Sequence, residues 1–151
     1  MLKKIFFTIL LLNLLNHCEY KPVYSNQNKV NYKIIVTSFS GDKEINNLIT
    51  STIKRNNNES SNKTLNISFD TKYTKNILAK NAAGTITDYQ ANVITKFNIK
   101  REDVSENFSI NEKFNFKKMT DEYEEKNYER TIKKNLANSI SQKLILRLTV
   151  N

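Results

Sequence analysis

Tyr89-Gln90-Ala91-Asn92-Val93-Ile94-Thr95-Lys96-Phe97-Asn98-Ile99-Lys100 alternates in polarity over twelve residues. Successive side chains of a β-strand point to opposite faces. A strand here places Tyr89, Ala91, Val93, Thr95, Phe97 and Ile99 on one face. It places Asn92, Lys96, Asn98 and Lys100 on the other, with Ile94 the apolar exception. One buried and one wet face is the pattern of an antiparallel sheet packed on one side only. The same period continues on both flanks. Downstream, Phe108, Ile110, Phe114 and Phe116 alternate, with Glu112 interrupting the apolar face, after a charged turn at Glu102 to Glu106. Upstream, Leu65, Ile67 and Phe69 alternate in a strand that continues through Tyr73 towards Leu78, and Asn81-Ala82-Ala83-Gly84 is a turn signal. Three consecutive strands joined by turns predict an antiparallel meander.

Further out, the period changes. Tyr32 to Phe39, rich in β-branched and aromatic residues, predicts a first strand, ended by Gly41-Asp42. Asp42 is a suitable N-cap, because its carboxylate accepts from the free amides of a first helical turn. Ile45, Leu48, Ile49, Thr52 and Ile53 then recur at helical spacing, so a helix runs from Asp42 to about Arg55, before a polar loop from Asn56 to Lys63. A long helix starts near Asp121, with Glu124 three residues later at capping-box spacing. Its apolar stripe is Tyr128, Ile132, Leu136, Ile140 and Leu144, widened by Ile145, Leu146 and Leu148. The acid pair Asp121/Glu125 is expected on a solvated helix face. The order β-α-β-β-β-α predicts an α+β two-layer sandwich: a four-stranded, mainly antiparallel sheet with two helices on one face. This domain occupies residues 32–151.

The first residues are of a different kind. Lys3 and Lys4 precede an almost wholly apolar run from Ile5 to Leu15. That run is short for a bilayer span, which needs about 20 residues. It fits the hydrophobic region of a secretory signal. Leu15-Asn16-His17-Cys18 resembles the lipobox of bacterial lipoproteins, with His17 where the pattern has a small residue. The resemblance implies a signal peptide at 1–17, cleavage before Cys18, acylation of Cys18 and a polar tether over 18–31. Glu19 follows the cysteine, where Asp would be the inner-membrane retention signal of enteric bacteria, so the resemblance points to the outer membrane. Two or more acyl chains hold a protein firmly to a membrane, whereas one holds it marginally.

The 151 residues carry 24 Lys and Arg against 15 Asp and Glu, a net charge of +9. They include 23 Asn, 20 Lys and 16 Ile, the bias of an AT-rich genome, so the basic charge by itself does not identify a partner. The one His and the one Cys, His17 and Cys18, fall at the predicted cleavage site. A chain cut there has no imidazole base, no free thiol and no ordinary zinc ligand set. There is no GxxxxGK[ST] or GxGxxG loop. The expectation is a protein that is not an enzyme, with no metal or cofactor. Lysines on the strands suit phosphate groups. Lys96, Lys100, Arg101, Lys117 and Lys118 are the candidate contacts, among further lysines that include Lys72, Lys75, Lys80 and Lys113. A secretion signal argues against nucleic acid as the partner.

Cys18-Glu19-Tyr20-Lys21-Pro22-Val23-Tyr24 resembles the mature start of the LPS-assembly lipoprotein LptE family, Cys-Gly-aromatic-x-Pro-aliphatic-Tyr. Cys18, Tyr20, Pro22, Val23 and Tyr24 match, and Glu19 departs from the Gly. The predicted element order is also similar to the family's. The resemblance implies a lipid-anchored protein on the periplasmic side of the outer membrane. It implies a plug and assembly partner of an LptD-type β-barrel that also binds lipopolysaccharide; a basic domain is consistent with that phosphorylated glycolipid, and no motif of the resemblance assigns an individual lysine to it. The alternatives are an envelope lipoprotein, structural or ligand-carrying, with no barrel partner, and a cytoplasmic basic module.

Overall fold

The alternating stretch lies within β3 (Ile86–Arg101) of a computed structural model that describes residues 30–102 and 104–150. The signal peptide at 1–17, Cys18 and nearly all of the tether lie outside the described residues. The other elements are β1 (Lys33–Gly41), α1 (Lys43–Asn56), β2 (Thr64–Lys80), β4 (Val104–Lys117) and α2 (Glu122–Val150). The sheet order is β1-β2-β3-β4. β2–β3 and β3–β4 are antiparallel, as the meander requires, while β1 and β2 are parallel. Parallel neighbours cannot be joined by a tight turn, and α1 supplies the connection. The fold is the expected α+β sandwich, with a mixed, mostly antiparallel sheet.

Leu65, Ile67 and Phe69 of β2 and Ala91, Val93, Phe97 and Ile99 of β3 are buried, as the alternation predicts. They share one core with Ile45, Ile49 and Ile53 of α1 and Ile132, Leu136, Ile140 and Leu144 of α2. Each Val, Leu, Ile or Phe side chain among these, fully buried, contributes about 1.5–3 kcal/mol. Thr71 and Thr95, opposite each other in this face, satisfy one another through a 3.1 Å hydroxyl hydrogen bond. Phe39, Phe69, Phe97 and Phe108 align across all four strands, with ring centroids 5.7, 5.6 and 5.4 Å apart. Val36 and Phe39 are three residues apart and would point to opposite faces of a regular strand. A register shift between Val36 and Ser38 brings both opposite inward residues of β2.

Helix starts follow the expected caps. Asp42 Oδ1 accepts from the Ile45 amide at 3.0 Å. Asp121 Oδ1 accepts from the amides of Tyr123 and Glu124 at 2.7 and 2.9 Å. Glu124 does not complete the box; Glu125 instead accepts from the Met119 amide at 3.0 Å.

Several local expectations are corrected. Arg101 pairs directly with Val104, so only two residues connect β3 to β4, and Ser105 and Glu106 belong to the strand. Glu112, on the inward side of β4, is met by the ammonium of Lys143 from α2. Leu146 does not widen the buried stripe; it is 65% exposed, one helical position away from the buried Ile145. Val30, within the stretch read as tether, is fully buried, and its N–H donates to the Asn56 carbonyl at 3.4 Å.

Candidate functional site

The two faces of the sheet differ in chemistry. Both helices cover the apolar face. Side chains on the other face are mostly short and polar, because the alternation puts Asn, Ser, Thr and Lys at those positions. Two adjacent cross-strand rows, Ser38-Ser68-Asn98-Asn107 and Ser40-Asp70-Lys96-Ser109, line an open groove of about 650 Å³. The groove is partly pre-organised. The Asn98 amide donates to Asn107 Oδ1 at 2.6 Å and to Ser105 Oγ at 3.2 Å. Ser40 Oγ donates to Asp70 Oδ1 at 2.5 Å.

The structure distributes the five candidate phosphate contacts over several places. Lys96 and Lys100 project from the open face of β3, opposite Asp70 and Asn66, and both are exposed. Arg101 falls on the other side of the strand, with its guanidinium carbon 5.4 Å from the centre of the Tyr32 ring. Its Nε and one terminal nitrogen are buried without an acceptor among the described residues. Lys117 is opposite Asp88 at the far end of the sheet. Asp88 and Lys100 are twelve strand positions apart, a distance of roughly 40 Å. Lys118 is drawn to Glu125, at 3.7 Å. Lys117 shares the open face but stands at its far end, so of the five only Lys96 and Lys100 lie on the part of that face that holds the groove.

A second polar assembly, not anticipated from the sequence, lies between α2 and the sheet. Glu125 is buried, at 8% exposure, rather than solvated. Lys75 points inward from β2 and donates to Glu125 at 2.7 Å and to Glu129 at 3.1 Å. Its ammonium also sits 4.2 Å from the centre of the Tyr89 ring. The Tyr73 hydroxyl donates to Glu129 at 2.7 Å. Lys133 donates to Asp42 at 2.8 Å, over the Tyr73 ring. The network joins the N-terminal half of α2 to the long β2–β3 hairpin and to the start of α1. Its signal was in the sequence: Glu125 and Glu129 precede Ile132 and Leu136 along the apolar stripe, and Lys75 has the inward parity of Phe69 and Tyr73.

Ionisation in the network follows from this packing. Burial opposes the charge on Glu125, but hydrogen bonds from Lys75 and the Met119 amide, with the charges of Lys75 and Lys118, hold its carboxyl below the usual range. Asp42 behaves alike: burial is outweighed by the Lys133 hydrogen bond, the Ile45 amide, the Lys133 charge and the Glu44 amide. Burial, then the hydrogen bond to Glu129 and the charges of Glu129 and Asp42, push the Tyr73 hydroxyl well up. Burial lowers Lys75, but Glu125 and Glu129 outweigh it and raise its ammonium above the usual range. Every charge is compensated by a fixed partner, which suits a structural clamp. Among the described residues no three His, Cys, Asp or Glu side chains converge as a metal-ligand set. No described helix is long and apolar enough to cross a membrane. The open sheet face presents hydroxyls, carboxamides and the ammonium groups of Lys96 and Lys100, which are unpaired among the described residues.

The molecule is thus a β-α-β-β-β-α sandwich with one closed, apolar sheet face and one open, polar one. This fold is shared with the rare lipoprotein B of Shewanella oneidensis, at a TM-score of 0.54 and 14% identity, over 73% of this chain and 93% of that one. It is shared also with lipoprotein B of Nitrosomonas europaea, at a TM-score of 0.51 and 13% identity, over 83% of this chain and 90% of that one. No protein-family model and no curated protein sequence matches the chain.

Proposed function

We propose that the chain is an outer-membrane lipoprotein of the LptE type: anchored through Cys18, partner and plug of an LptD-type β-barrel, and a binder of lipopolysaccharide. The observation that carries this reading is a conjunction. The Cys18–Tyr24 start resembles that family's, and it precedes a fold shared with two bacterial lipoproteins. Neither half depends on the other, since the motif lies outside the described residues. The open face supports the binding role. Lys96 and Lys100 offer ammonium groups, unpaired among the described residues, beside a groove of hydroxyls and carboxamides, complementary to a phosphorylated saccharide. The reading is of a binding protein rather than an enzyme.

Affinity purification from detergent-solubilised outer membranes, with mass spectrometry of the eluate, tests the proposal. A stoichiometric large β-barrel is the expected result. An acylated protein that elutes alone would overturn the barrel partnership and leave an envelope lipoprotein. Lipopolysaccharide retained by the purified protein should fall when Lys96→Ala and Lys100→Ala are combined; unchanged retention would remove these two lysines from the site.

A further inference from the structure

The chain enters the domain at one end of the sheet. The Val30 N–H is bonded to the Asn56 carbonyl, and the Lys33 N–H to the Lys63 carbonyl at 2.8 Å. These contacts put the entry point beside the C-terminus of α1 and the start of β2. The β3–β4 turn lies at the same end, because Asn66 pairs with Lys100 and Arg101 with Val104. So does the C-terminus of α2, where Arg147 bonds Glu106.

Lys33, Lys54, Arg55, Lys63, Lys100 and Arg101 gather there, and Lys54, Arg55, Lys63 and Lys100 are exposed. The acids at this end among the described residues are Glu59, Glu102 and Glu106, and Asp103 follows Glu102 in the sequence. Glu106 is taken up by Arg147, and the cations outnumber the acids. Two large apolar side chains stand in water at the same end: Val104, 69% exposed, and Leu146, 65% exposed. Exposed aliphatic side chains within a basic field match the two layers of an anionic bilayer surface, phosphates outside and acyl chains beneath. From Cys18 to Val30 is twelve residues, which span about 40 Å at full extension.

We propose that this end of the domain is a membrane-seating surface. Lys54, Arg55, Lys63 and Lys100 meet the phosphates of anionic phospholipids, and Val104 and Leu146 dip into the interface. This rests on the lipoprotein reading alone for how the domain reaches the membrane, and it goes further by fixing the orientation of the anchored domain before a barrel takes it up. The β2–β3 hairpin tip, at Asn81 to Gly84, then points away from the bilayer.

The test uses the full protein purified from membranes and reconstituted into vesicles of phosphatidylcholine with or without phosphatidylglycerol. A polarity-sensitive dye is attached to Val104→Cys or, as the opposite-end control, Ala83→Cys, and its quenching by nitroxide lipids is read. The parent protein is treated with the same dye. Its failure to label shows that Cys18 is blocked by acylation. Labelling shows that the lipoprotein reading fails, and both reporters are then read in a Cys18→Ser background with vesicles added from outside.

In either background we expect strong quenching at 104 with phosphatidylglycerol and little at 83. Quenching at 104 should fall at least about fivefold without the anionic lipid and in the combined Lys54→Glu, Arg55→Glu, Lys63→Glu and Lys100→Glu variant. High salt, which screens surface charge without altering the chain, should reproduce that loss. Equal quenching at both positions, or quenching at 104 indifferent to anionic lipid and to salt, would overturn the proposal.

Discussion

Gly41 and Gly84 both hold positive φ, +92° and +80°, yet they differ in what surrounds them. A Cβ on Gly41 would lie 1.9 Å from the Thr71 carbonyl oxygen, where β1 closes on β2. That carbonyl already accepts from the Asp42 N–H at 2.9 Å, so it has little freedom to retreat. A Cβ on Gly84 would meet nothing within 4 Å. Left-handed backbone costs an L-residue about 1–2 kcal/mol, and forcing atoms into a packed site costs about 1–3 kcal/mol more. Gly41→Ala should therefore destabilise the domain by about 3 kcal/mol and Gly84→Ala by about 1 kcal/mol. Urea unfolding followed by circular dichroism measures both; equal losses would mean that the contact at Thr71 is unimportant. The sequence marked Gly41 as the end of a strand and Gly84 as part of a turn. Only the structure separates them, because the clash is with a residue 30 positions away.

At the level of elements, α2 is the part whose exposure the sequence described least well. Its stripe was legible, but the periodicity did not discriminate between Leu144, fully buried, and Leu146, mostly exposed. Leu144→Ala should cost about 3 kcal/mol through the cavity it leaves, and Leu146→Ala under about 0.5 kcal/mol. Thermal or urea midpoints decide this. The clamp of α2 on the hairpin gives an acid-dependent term. Asp42 and Glu125 are held below their usual values of 3.8 and 4.5. The unfolded chain therefore takes up protons first as pH falls below those values, and the stability that both groups contribute above them is lost. Glu125→Gln should cost about 2 kcal/mol at pH 7, since it leaves Lys75 with one carboxylate partner in a partly solvated site. The deficit should narrow by pH 3; a gap independent of pH would show that the charge on Glu125 contributes nothing. On the alkaline side, Lys75 and Tyr73 are both raised, so their contribution is lost only above about pH 10.

For the molecule as a whole, the division of labour is between a closed apolar face, an open polar face and a basic entry end. If Cys18 carries the anchor, Cys18→Ala should move the protein from the membrane fraction to the soluble fraction or leave it with an uncleaved, heavier N-terminus. Fractionation with intact-mass measurement checks this, and an unchanged distribution with unchanged mass counts against lipidation. Strand and helix order, the buried face of β3 and the cap residues Asp42 and Asp121 were legible in the sequence, because each follows from the spacing of neighbours along the chain. Pairing β1 in parallel with β2, turning Phe39 inward, burying Glu125 against Lys75 and dividing the candidate cations between the two ends of the open face, the β3–β4 turn and the clamp were not. Those outcomes depend on which distant residues meet, and local period carries no record of that. A charge on a strand reads alike whether its face is open or covered, and only packing α2 across the sheet determines which carboxylates and ammonium groups leave water.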